Sequence, residues 1–83
     1  MENNTHTYDA LIFEVLVFKT NLSSDKDVET IGQLLAAESN VTRWNVDRDD
    51  IDKVLRIECD KIKPDTVVNL LHDAGFECRE LPD

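Results

Sequence analysis

The sequence predicts an α+β fold, and three observations carry that prediction. A short, densely apolar run near the start is rich in β-branched and aromatic residues; two later stretches repeat their apolar residues at the helical period; further short segments alternate apolar and polar residues. Taken in order they read βαββαβ. Eighty-three residues suffice for one core and are too few for two, so a single domain is expected over residues 10–83. Residues 1–9 are polar and read as a flexible N-terminal tail. They lack the basic start and apolar centre of a secretory signal, which points to the cytoplasm.

The first strand is read from Leu11 to Phe18, LIFEVLVF, a run too short for a typical helix. Its faces are Leu11, Phe13, Val15 and Val17 on one side and Ile12, Glu14, Leu16 and Phe18 on the other. The face without Glu14 is expected to point to the core. A helix follows KTNLSS, with Val28, Ile31, Leu34 and Leu35 on one stripe and Asp25, Asp27 and Glu29 near its start, where the helix dipole favours negative charge. Gly32 lies inside it at a cost of roughly 1 kcal/mol relative to Ala. Close packing against a neighbour and a merely tolerated glycine explain it equally well.

Val41 to Asp47, through Trp44 and Val46, and Val54 to Cys59, with Leu55, Ile57 and Cys59 on one face, are the second and third strands. A loop of four or five residues is expected between them. Lys63-Pro64-Asp65 opens a second helix and Gly75 closes it, with Val67, Leu71, Ala74 and either Leu70 or Val68 as its buried stripe. Phe76 to Leu81 is the last strand, ahead of Pro82. Right-handed crossovers around a split βαβ unit turn this order into a ferredoxin-like plait. Its four-stranded antiparallel sheet has strand order 4-1-3-2 and carries both helices on one face.

Eighteen acids against nine bases give a net charge of −9, which opposes binding to phosphate backbones and anionic membrane surfaces. No nucleic-acid partner is expected. The apolar runs are far shorter than the roughly 18 residues of a membrane span. Two cysteines, Cys59 and Cys78, are too few for a disulfide framework and sit in apolar-periodic segments, as reduced core thiols do. In the 4-1-3-2 order their strands flank the first strand, roughly 9.6 Å apart, beyond the reach of a disulfide.

From Ile12 to Leu81 the chain resembles the heavy-metal-associated domain of copper chaperones and metal-transporting ATPases. The resemblance lies in VFKTNL before the first helix, NVTRWNVD, DKVLRIE, and VVNLLHDAGFECREL. It implies the same plait. In that family a C-x-x-C pair at the start of the first helix binds Cu(I) or another soft ion and passes it to partner proteins. Setting Leu22 against the apolar residue two before the first cysteine puts Ser24 and Asp27 at the two ligand positions. Hydroxyl and carboxylate oxygens suit hard ions rather than Cu(I), and two of them are too few for calcium or magnesium. No metal or cofactor is therefore expected at this loop. Ser24-x-x-Asp27 instead fits a capping box, an ordinary way to start a helix.

Other residues invite functional readings that plainer ones outweigh. His6 and His72 have no Cys or His at ligand spacing. Ser23, Ser24 and His72 form no recognisable nucleophile and base, the glycine-rich loop of an acylphosphatase is absent, and VLRIEC lacks the basic and aromatic character of an RNA-recognition strand. Asp47, Asp49, Asp50 and Asp52 lack the central Gly and terminal Glu of a calcium loop and read as a solvated hairpin. Trp44 reads as a partly covered core residue. On the open side of the sheet Ile12, Leu16, Phe18, Val54 and Leu81 are expected to form an apolar surface, rimmed by Arg56, Glu58, Glu77 and Arg79. These residues suggest a non-catalytic module that meets a protein partner or a second copy through that face. The alternative is a heavy-metal chaperone, copper above all, with non-standard or partner-supplied ligands.

Overall fold

The structure, a computed structural model, describes residues 14–82. The expected tail and the first three residues of the expected first strand, residue 12 among them, lie outside them. The elements run β1 (Glu14–Thr20), α1 (Asp25–Ala36), β2 (Val41–Asp47), β3 (Val54–Cys59), α2 (Pro64–Asp73) and β4 (Cys78–Glu80). All strand pairs are antiparallel and the sheet order is β2-β3-β1-β4, the expected 4-1-3-2 read from the other edge. With both helices on one face, this is the ferredoxin-like plait.

Each helix starts and stops where its residues dictate. Ser24 caps α1, and Pro64 opens α2 at a position that needs no amide donor. Gly75 takes φ +94°, the left-handed conformation that ends α2. Ile31 and Leu35 of α1 and Val67 and Leu71 of α2 are buried against Phe18 of β1 and Leu55 and Ile57 of β3. Leu34, Val68 and Leu70 are half-buried beside them and Val28 is half-buried, whereas Ala74 is exposed at the end of α2. Gly32 has a packing reason: a Cβ there would stand 3.1 Å from Cζ2 of Trp44, so the absent side chain lets α1 lie against the half-buried indole.

Several expectations are corrected. The face of β1 that meets the helices is Leu16, Phe18 and Thr20, not Val15 and Val17. Phe18 is fully buried and Val15 is 45% exposed. Register gives the reason, because directly paired residues share a face. Leu16 and Phe18 pair with the buried Ile57 and Leu55, while Val15 and Val17 pair with Glu58 and Arg56. Glu14 is a poor guide to that face, since it sits exposed at the end of β1. The second correction is to the hairpin between β2 and β3, which is longer than expected and spans residues 48–53, with Lys53 at φ 44°.

The last strand is shorter than expected, although the Leu81 amide still donates to the Val17 carbonyl at 2.8 Å. Cys59 and Cys78 are both free and buried. They pair with Glu14 and Thr20, at opposite ends of β1, which adds roughly 20 Å along the strand to their separation across it. Among the described residues no helix is long and apolar enough to cross a membrane.

Candidate functional site

The loop between β1 and α1 is built on Thr20 and Leu22. Thr20 Oγ1 accepts from the Leu22 amide at 3.2 Å and donates its hydroxyl to the Lys53 carbonyl, and the Thr20 amide donates to the Asp52 carbonyl at 3.0 Å. Leu22 is fully buried. The loop is thereby fixed between the core on one side and the β2–β3 hairpin on the other.

Beyond Leu22 the two aligned positions form the expected capping box. The Asp27 amide donates to Ser24 Oγ at 3.0 Å, and Asp27 Oδ2 accepts from the Ser24 amide at 3.2 Å and the Ser23 amide at 3.1 Å. The Ser23 amide first, then the Ser24 amide, holds the Asp27 carboxyl below its ordinary range, against a smaller opposing effect of desolvation. Oxygen donors are thus already engaged with the backbone they cap. Neither the donor type nor this occupancy fits a soft cation, and no cluster of three or more His, Cys, Asp or Glu able to hold a metal occurs among the described residues.

Arg48, in the hairpin, reaches across this loop. Its Nη1 donates to the Ser23 carbonyl at 3.3 Å and its Nη2 lies 2.8 Å from Asp25 Oδ1. Nothing in the sequence marks Arg48 for this contact, which depends on how the hairpin folds back over the helix start. The hairpin acids serve the loop itself: Asp47 Oδ1 accepts from the amides of Asp49 and Asp50, and Asp50 Oδ1 from that of Asp52. Ile51 stands among them 90% exposed.

The thiols are placed as core residues. Burial pushes the Cys59 thiol up, aided by Glu14 nearby, and pushes Cys78 up to about 11. His72 is exposed, with Nε2 3.2 Å from the Cys78 carbonyl. On the open face of the sheet the apolar residues are Val15, Val17, Val54 and Leu81, among Lys19, Arg56, Glu58 and Arg79. Val54 and Leu81 are half-buried there. Leu16 and Phe18 belong to the core and leave that surface, and Ile12 lies outside the described residues.

The sequence matches no protein-family model and none of the curated proteins. Solved structures share the fold. Oxidized MerP from Ralstonia metallidurans CH34 superposes with a TM-score of 0.71 at 11% identity, over 86% of this chain and 100% of that one. The yeast copper transporter domain Ccc2a, solved in apo and Cu(I)-loaded states, gives 0.71 at 20% identity over 83% and 96%. The N-terminal domain of ZntA in its Zn(II) form gives 0.68 at 15% identity over 80% and 89%.

Proposed function

We propose that this chain is a non-catalytic interaction module on the plait of the heavy-metal-associated domains, in which the metal loop has become a helix cap. The observation that carries this reading is the capping box: the atoms standing where thiolates would bind a soft ion are hard oxygens bonded to the local backbone. Two buried thiols, Cys59 on β3 and Cys78 on β4, held protonated beside opposite ends of β1, offer no substitute pair. The acidic balance opposes nucleic acid and anionic membrane surfaces, and the reduced thiols suit a cytoplasmic setting.

Contact with a protein partner or a second copy is assigned to the open sheet face around Val15, Val17, Val54 and Leu81. A neighbour of this fold is solved as a complex, Atx1–Cu(I)–Ccc2a, so protein contact on this scaffold has a precedent. Val17→Glu tests the face, since Val17 pairs with Arg56 and the new carboxylate is accommodated in a monomer. Sedimentation across a wide concentration range is expected to show self-association that Val17→Glu abolishes, or binding of an isolated partner that it weakens. A chain monomeric at millimolar concentration, whose isolated partner binds Val17→Glu undiminished, contradicts the assignment.

A further inference from the structure

Where β4 leaves the loop after α2, the surface opens into a groove of about 380 Å³, within the size range of small-molecule sites. Lys19 and Arg79 provide its cationic lining, Phe76 and Cys78 its apolar lining, and His72 and Glu77 also border it. Lys19 and Arg79 are direct cross-strand partners in the β1–β4 register. Like charges placed directly opposite each other destabilise a sheet, and this chain has twice as many acids as bases with which to avoid the pairing. Asp52 approaches the Lys19 ammonium at 3.6 Å and does not line the groove. The walls are set in advance: His72 Nε2 lies 3.2 Å from the Cys78 carbonyl, and the Glu77 amide donates to Asn21 Oδ1 at 2.9 Å.

We propose that this groove binds an organic carboxylate, with the anion bridging the Lys19 ammonium and the Arg79 guanidinium and an apolar body lying against Phe76. An anion between the two cations relieves their repulsion, and the guanidinium fork suits the two carboxylate oxygens. The partly buried Phe76 ring selects an acid with an aromatic or aliphatic body over a bare inorganic anion. The carboxylate has two possible sources, a free small acid and the C-terminus of a peptide ending in an apolar residue.

The test is a titration followed in amide proton–nitrogen spectra. The probes are 3-phenylpropionate, 3-phenylpropanamide, and acetyl-Gly-Gly-Phe as free acid and as amide. At least one acid is expected to cause saturable shifts at Lys19, Phe76 and Arg79, while neither amide saturates. Arg79→Gln and Lys19→Gln, which keep most of the apolar stem, are expected to weaken binding about tenfold each. Saturation by 3-phenylpropionate identifies a free acid as sufficient; saturation by the peptide acid alone identifies a chain terminus. The proposal is overturned if neither acid produces shifts there up to about 20 mM, if an amide binds as tightly as its acid, or if both Gln variants bind with unchanged affinity. The amide comparison needs no variant and the spectra report folding directly.

Discussion

Ser24 and Asp27 answer each other across one helical turn, and their separate removal has separable consequences. Ser24→Ala deletes the acceptor for the Asp27 amide and is expected to lower stability by ~1 kcal/mol, read as a lower urea midpoint at unchanged slope. Asp27 acts through its charge. Its folded pKa is lowered, so its contribution is present above the unfolded value, ~3.9, and is lost as pH falls through the folded one. Asp27→Asn is expected to flatten the acid side of the stability profile in that window. An unchanged acid limb would show that the two serine amides do not favour the carboxylate. Cys78 has the opposite sign: burial raises its pKa from 9.0 to about 11, so folding favours the protonated thiol. Stability is expected to fall as pH rises from ~9 towards 11, and Cys78→Ala to remove that part of the slope. An unchanged slope in Cys78→Ala would contradict this.

At the scale of elements, Gly32 and Trp44 couple α1 to the edge strand β2. Gly32→Ala carries a helix-propensity gain of ~1 kcal/mol, but its Cβ meets the indole at 3.1 Å. The substitution is expected to stabilise a Trp44→Ala background by more than it stabilises the native sequence, as measured in a double-mutant cycle. Equal gains in both backgrounds would show that the indole yields at no cost. The same scale explains what the residues revealed in advance. Both helices and the capping box were legible because each rests on local signals: apolar period, Pro64, Gly75, and Ser24 three residues before Asp27; the strand order followed from the element order and the handedness of its crossovers. The facing of β1 was not, because Val15 to Phe18 is apolar on both sides and only pairing with β3 decides between them. Lys19, one turn of the alternation beyond Val17, is the signal that points the correct way. The Arg48 clasp and the Lys19–Arg79 groove were likewise illegible, since each joins segments distant in sequence.

At the scale of the whole molecule, the plait is the one seen in the MerP, Ccc2a and ZntA domains, and the loop before α1 carries Ser24 and Asp27 in a helix cap. The fold rests on the core, and Leu22 by its burial and Thr20 by its hydrogen bonds fix the loop. Ser24→Cys with Asp27→Cys is therefore expected to create a Cu(I) site at some cost in helix capping, detected by competition with a chromophoric chelator. Failure of the double variant to compete would show that the loop path, and not only its donors, differs from that of a C-x-x-C loop. The most direct measurement is the same Cu(I) competition on the unaltered, reduced chain, with Zn(II) titrated alongside. No competition is the expected result, because hard oxygens occupied by the helix start stand where thiolates would be required. Tight one-to-one binding would contradict the interaction-module reading and restore a metal chaperone that draws its ligands from elsewhere in the chain.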